Sequence, residues 1–280
     1  MGTLYVIGTP IGNLGDLSPR AAELLRTVDL VVAEDTRVTR KLLNHLDART
    51  PCISYHEHSR PAQLERVLAA LESGDVAQVT DAGSPAVSDP GPPLVEAAAS
   101  RGHEVVAVPG PSAITAALSV SGMPGDRFLF LGFLPRKSSE RRLVLSEAAD
   151  ATATLVAFET PQRVVSALED IKETLGARRI AVCREMTKLH EEVFRGTASE
   201  AIEHFSTGRP RGEFVLVIEG ASGVRPEVPD EAIIEAIEQL GRDGVTGRSL
   251  VEAVVDATGA PRRRVYRLVT GSQAERADDS

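Results

Sequence analysis

Cysteine is nearly absent: Cys52 and Cys183 stand far apart, outside any CxxC pair. That excludes a disulfide framework and a thiolate metal knuckle, and it fits a reducing cytosol, with both thiols expected in the core. No apolar run approaches the roughly 20 residues of a membrane-spanning helix, and the opening MGTLYVIG enters a strand with no basic segment or cleavage signal. A soluble, cytoplasmic chain beginning near Met1 is expected. There is no internal period and no low-complexity tract. Phosphate-binding signatures are missing too. No GxxxxGK[ST] occurs, and GTPIGN at 8–13 has Pro10 where GxGxxG needs its middle glycine. Glu34 is offset from the acidic position of the dinucleotide motif, so a nicotinamide enzyme is disfavoured. Positive charge is in deficit as well, with 31 Lys+Arg against 40 Asp+Glu and a net charge of -9. Such a surface repels phosphate backbones as a whole, and any contact with nucleic acid must be local.

What is present is an alternation of short apolar strands with helix-period segments. TLYVIG is followed by SPRAAELLRTV, LVVAE by TRVTRKLLNHL, and PCISY by SRPAQLERVLAALESG; VAQVT, LVEAAASRG and EVVAVPG continue the series. This is the pattern of an α/β doubly wound sheet. Ser18 and Ser59 are placed to cap helices, and Gly74 and Gly102 to end them in a left-handed residue. The chain begins again at FLFLGFL, where EEVFRGT beside EFVLVIEG points to mixed parallel and antiparallel pairing. Two α/β lobes are expected, over 1–120 and 121–222, with a ligand cleft between them. Gly223, Pro226 and Pro229 then mark a linker to a small C-terminal helical element over 230–271, and the last residues, ERADDS, should fray.

Three loops follow strands of the first lobe: GTPIGN, DAGSPAVSDPG at 81–91, and VPGPSA at 108–113. In an open α/β sheet ligands bind beyond the carboxyl ends of the strands, so all three lie on the expected edge. Gly8, Gly12, Gly83 and Gly110 let backbone approach a ligand, while Pro10 and Pro109 are among the prolines that stiffen the bends. A helix starting at Ser112 presents unpaired N–H groups and a positive dipole end. AEDTR at 33–37 and SYHEH at 54–58 share that edge. Asp35 and Arg37 read either as an ion pair across a helix start capped by Thr36, or as ligand groups. His56 and His58 would share a face in a strand, but no third and fourth ligand stand near them, so no metal is expected.

Basic residues gather in two places, PRKSSERR at 135–142 and PRRRVYR at 261–267. They read either as solvated faces or as RNA contacts through Arg136 and Lys137, and through Arg262, Arg263, Arg264 and Arg267 on the second helix of a helix-turn-helix-like tail.

Taken together, LYVIGTPIGNLGDLSPRA, VVAEDTR, DAGSPAVSDPG, VPGPSA, DRFLFLGFLP, FETPQR, REMTK and RGEFVLVIEG, in that order, resemble the tetrapyrrole-methylase fold. Within it they resemble the 16S rRNA (cytidine-2'-O)-methyltransferases. The resemblance covers nearly the whole chain. It implies S-adenosyl-L-methionine as cofactor, the ribose of a decoding-centre cytidine in 16S rRNA or the small ribosomal subunit as substrate, and a homodimer. DAGSPAVSDPG becomes one wall of the donor cleft. The implied donor contacts are Gly8, Pro10, Ile11, Asp81, Gly83, Ser84, Val87, Pro109, Ser112 and Ala113 from the first lobe. The second lobe adds Phe158, Glu159, Thr160, Cys183, Arg184, Glu185, Glu213 and Phe214. A ribose hydroxyl is a weak nucleophile, and Glu34, Asp35 and His56 are the candidate bases, with Arg37 aligning a phosphate. The rival readings are a precorrin-type C-methyltransferase, which GTPIGN in place of GxGPGD argues against, and a non-catalytic RNA-binding assembly factor.

Overall fold

In a computed structural model, residues 2–56, 59–85, 92–208, 210–222, 229–260 and 262–278 are described, with side chains as far as Thr270. His58 and Val87, both singled out above, lie outside the described residues. The first five apolar runs form β1 (Thr3–Ile7), β2 (Leu30–Ala33), β3 (Cys52–Ser54), β4 (Val76–Val79) and β5 (Glu104–Val108). They pair in parallel in the order β3-β2-β4-β1-β5. Helices α1 (Pro19–Thr27), α2 (Thr36–His45), α3 (Pro61–Ser73) and α4 (Pro92–Ser100) supply the crossovers. A sheet covered on both faces buries its central strands throughout, and all four residues of β4 are buried, the polar Gln78 among three apolar residues. Leu25 and Leu43 join Ile7 and Val31 in one cluster, and Leu68 and Leu94 join Leu4 and Val32 in another.

Local signals fare unevenly. Ser18 caps α1 as expected, its Oγ accepting the Ala21 N–H at 3.2 Å, and Gly102 is left-handed at φ 82°. Ser59 does not cap α3: Arg60 holds that position without a side-chain bond, and Ser59 Oγ accepts the His56 N–H at 2.8 Å. Gly74 is extended, not left-handed; it lacks a side chain because the Asp29 carboxylate occupies that space and accepts the Asp75 N–H.

The second sheet contains β6 (Phe128–Phe133), β7 (Thr154–Glu159), β8 (Arg179–Arg184), β9 (Glu192–Thr197) and β10 (Phe214–Ile218), ordered β6-β7-β10-β8-β9. Only β6 and β7 run parallel; the other pairs are antiparallel, the mixture that FRGT and EFVLV predict. Side chains alternate along each strand. Leu216 and Val182 face a core with Leu145, Leu168 and Phe205 from α6 (Ser138–Glu147), α7 (Val164–Leu175) and α8 (Ala198–Ser206). Val215, Val217 and Cys183 face the other way and meet Ile114, Ala117 and Leu118 of α5 (Ala113–Ser121). This helix follows directly from β5, so the first sheet's last crossover becomes the second sheet's cover. Both sheets belong to one unit, residues 1–221.

The basic stretch at 135–142 is largely spent within this unit. Arg141 is 2 % exposed, its Nε donating to Asp170 Oδ2 at 2.6 Å, and Ser138 Oγ donates to Asp170 Oδ1 at 2.8 Å. Arg142 pairs with Glu173 and Lys137 with Glu140. Arg136 is exposed and has no ion pair among the described residues.

Residues 222–280 form a second unit. Its helices α9 (Asp230–Arg242), α10 (Gly247–Thr258) and α11 (Arg262–Asp278) enclose their own core of Ile233, Ile237, Leu250, Val254, Val265 and Val269. α11 extends past the expected boundary at 271 into the residues expected to fray.

Candidate functional site

The three Gly/Pro loops interlock at the carboxyl edge of the first sheet. Thr9 and Gly83 exchange backbone bonds at 2.8 and 3.1 Å, and Thr9 Oγ1 donates to the Thr80 carbonyl at 3.1 Å. Gly83 sits at φ 83°, a region that glycine enters without strain. Gly8 and Gly110 meet backbone to backbone: a Cβ on Gly8 would fall 2.8 Å from Gly110 Cα. Gly8 and Gly110 therefore serve loop against loop, while Gly83 supplies a bend in the wall of the cleft. Gly110→Ala is expected to lower stability by about 1–3 kcal/mol by forcing the loops apart, which thermal melting of the variant will check.

Beside the loops lies a cleft of about 410 Å³ to which both sheets contribute. Asp81, Ala82, Gly83 and Ser84 form one wall, with Ile11 and Glu34. Phe133, Phe158, Pro161 and Met186 form an apolar wall opposite, and Gly212, Glu213, Phe214 and Val215 line the end of β10. The Phe158 ring is edge-on to Phe130 and Phe133, at centroid distances of 4.9 and 5.3 Å. Ser112, Ala113 and Ile114, at the start of α5, complete the lining; Ser112 makes no side-chain cap, so first-turn amides are unclaimed by it.

Charge in the cleft is one-sided. Its described charged lining residues are Glu34, Asp81, Glu159 and Glu213, with no lysine or arginine. Glu34 Oε2 accepts the Thr80 hydroxyl at 3.0 Å, and Asp81 Oδ1 accepts the Asp35 N–H at 3.1 Å. Desolvation pushes the Asp81 pKa up, the Glu34 and Asp35 charges add to this, and the Asp35 amide and Arg37 oppose it. Glu159 is buried; its Oε1 accepts the Thr160 N–H and pairs with Arg163 at 2.7 Å, while its Oε2 has no hydrogen-bond partner among the described residues. Burial raises its pKa.

An acidic, partly apolar cleft between two α/β sheets, walled by loops at the carboxyl edge of one of them, narrows the candidates, and the sequence profile of the tetrapyrrole (corrin/porphyrin) methylases matches residues 3–202. The chain belongs to that family. Within it, the chain is 44% identical over 278 residues to ribosomal RNA small subunit methyltransferase I of Synechocystis, covering 98% of this chain and all of that one. It is 49% identical to the Thermotoga maritima protein of the same name over 221 residues, which are 79% of this chain and 99% of that one. It therefore belongs to this methyltransferase branch. Among solved structures, diphthine synthase superposes with a TM-score of 0.62 at 15% identity over 96% of this chain and all of the other. Uroporphyrin-III-C-methyltransferase from Thermus thermophilus does so with 0.56 at 22% identity, over 78% and 94%. At such identities these two establish the fold alone.

Of the donor contacts implied by the family resemblance, the cleft gathers Ile11, Asp81, Gly83, Ser84, Ser112, Ala113, Phe158, Glu159, Thr160, Glu213 and Phe214. The Phe214 ring is buried against Phe205, so what it offers the cleft is main chain. Gly8, Pro10, Pro109, Cys183, Arg184 and Glu185 do not line it. Cys183 faces α5, where burial pushes its thiol up to about 11. Arg184 is spent on Glu192 and on the Arg211 carbonyl. Glu185 acts one step back: its Oε1 accepts the Glu213 N–H at 3.1 Å and Lys188 Nζ at 2.9 Å, bracing the Gly212–Glu213 turn. Among the base candidates Glu34 alone lines the cleft. Asp35, not Thr36, caps α2, accepting the Arg37 N–H at 2.8 Å and its guanidinium as well. Those bonds hold its pKa down to about 2. His56 follows the edge strand β3, outside the lining, and no metal-binding group of His, Cys, Asp and Glu occurs among the described residues. Phe133, Met186 and Gly212 were not named from sequence, although each lies inside or beside a motif that carries the resemblance.

Proposed function

We propose that the protein transfers a methyl group from S-adenosyl-L-methionine to the ribose 2'-hydroxyl of a decoding-centre cytidine in 16S rRNA. The observation that carries the donor is the cleft's charged lining, four carboxylates with no lysine or arginine among the lining residues; Glu159 meets Arg163 and Glu213 meets Lys188 behind it, while Glu34 and Asp81 have no ion pair among the described residues. Such a lining suits a cation and repels a phosphate-bearing cofactor. The unclaimed amides at the start of α5 fit the donor's carboxylate, the Phe133 and Phe158 rings fit a nucleoside, and Glu159 Oε2 is left to accept a hydrogen bond. When bound, the donor supplies a methyl on a positively charged sulfur, a leaving group that needs no proton. The chain's own task is to hold a hydroxyl in line with that methyl in a water-poor space and to take its proton. Asp81 serves as the proton acceptor. It stands at the cleft, its affinity for a proton is raised, and Glu34 beside it maintains that shift. Asp35 is engaged by Arg37 and is set aside.

The ribosomal acceptor rests on the relatives' shared name, which also favours RNA over a tetrapyrrole. Arg136 is exposed and has no ion pair among the described residues, and Lys137 is shared with Glu140. A homodimer would find exposed apolar side chains, Phe128 and Leu129, at the start of the edge strand β6. No helix among the described residues is long and apolar enough to cross a membrane, in keeping with a ribosomal substrate. Mass spectrometry of small-subunit RNA from cells with and without the gene tests the reading. One ribose methyl should vanish with the gene; an unchanged methylation pattern would refute it.

A further inference from the structure

The four arginines at the start of α11 divide into two pairs. Arg262 Nη2 reaches Glu252 Oε1 at 3.1 Å, and Arg264 Nη2 reaches Asp230 Oδ1 at 2.6 Å, so these two bind α11 to α10 and α9. Arg263 and Arg267 are exposed and have no ion pair among the described residues. Four residues apart, they share a helix face. Tyr266 stands on the same side of the helix, 61% exposed, while its neighbours Val265 and Val269 enter the core. The three-helix core is complete without the tyrosine ring. A planar aromatic flanked by two uncommitted guanidinium groups, on a protein of net charge -9, is a local exception to its surroundings.

We propose that Arg263, Tyr266 and Arg267 form a docking face for single-stranded RNA, the ring stacking on one unpaired base and the two guanidinium groups taking the flanking phosphates. This rests on the reading of the protein as a ribosomal RNA methyltransferase and identifies a part of the chain that grips the RNA. A duplex would engage the arginines and leave the ring without a partner, because its bases are already stacked. The Thermotoga maritima relative is covered to 99% by only 221 residues of alignment, the length of this chain's first unit, so it has no counterpart to a stretch as long as the helical tail. A part that a relative of the same name does without belongs to substrate capture, and its loss falls on KM for RNA more than on kcat.

The test is fluorescence anisotropy of the full chain with a labelled small-subunit rRNA fragment carrying an unpaired segment, repeated across a salt series. Arg263→Gln with Arg267→Gln is expected to flatten the slope of log affinity against log salt by about 1.4, two phosphates at about 0.7 each on a single strand. Tyr266→Ala is expected to weaken binding roughly five- to a hundred-fold without changing that slope, and Tyr266→Phe to restore it. Thermal melting and calorimetric donor binding should stay at wild-type values, which separates a lost contact from a lost fold. Unchanged affinity and slope in both variants would overturn the proposal; a loss confined to the arginine variant would overturn the stacking. If the unaltered protein methylates the RNA while the variants behave like it, this inference alone fails. If the unaltered protein neither binds nor methylates the RNA, the functional reading fails with it.

Discussion

Asp81→Asn is expected to slow single-turnover methyl transfer by roughly a hundred- to ten-thousand-fold, the range that a positioned proton acceptor contributes. Donor affinity by calorimetry should fall far less than the rate, because one of the carboxylates that suit the cationic donor loses its charge while the other three remain. The amide keeps an oxygen to accept the Asp35 N–H, so the loop keeps its bond and loses only its basicity. The pH profile supplies the sign. A base works ionised, so the rate should fall as pH falls through the Asp81 pKa, which burial and the neighbouring Glu34 and Asp35 charges hold above the ordinary aspartate value. Glu34→Gln removes one of those charges and should move the acidic limb to lower pH. Asp35→Ala, by contrast, should cost a helix cap of about 1 kcal/mol and little chemistry. Turnover by Asp81→Asn within about threefold of the unaltered enzyme would exclude the assignment, because the effect of a general base is far larger.

Asp170→Ala is expected to give the largest loss of stability. It would leave Arg141, whose side chain is 3% exposed, charged and without its carboxylate. Stranding one member of a buried ion pair costs about 3–5 kcal/mol. In a unit of this size that lowers the melting temperature by on the order of 10 °C. The pair itself is worth far less than its rupture, since desolvating both charges offsets most of their attraction. Arg141→Met combined with Asp170→Leu should therefore recover most of the loss. Differential scanning calorimetry of the single and double variants decides: a double variant as unstable as the single one would mean that packing around Ser138 and Ser166, not charge, dominates.

The three ligand-edge loops were legible because Gly and Pro clusters follow apolar runs, a signal carried within about ten residues. The same holds for Ser18 at α1 and for the mixed second sheet, read from FRGT beside EFVLV. What escaped depends on partners far along the chain. Arg141 sits in RRLVLSEA and reads as surface charge until Asp170 meets it from α7. Gly74 reads as a left-handed stop until the Asp29 carboxylate is found in its place. Cys183 and Glu185 lie within a motif of the family resemblance, but strand alternation turns Cys183 toward α5 and leaves Glu185 to brace the turn beside the cleft. Asp35 was ambiguous for a different reason. Its partner is only two residues away, and sequence alone offered both the helix-start pair and the catalytic acid without a way to choose.

α5 has a consequence for how substrates come and go. Its first turn lines the cleft while its body is embedded among Val156, Ala181, Val215 and Val217 of the other sheet. Swinging the halves open like a clamshell would expose that greasy seam to water at every cycle. That seam must therefore stay shut while the cofactor is exchanged.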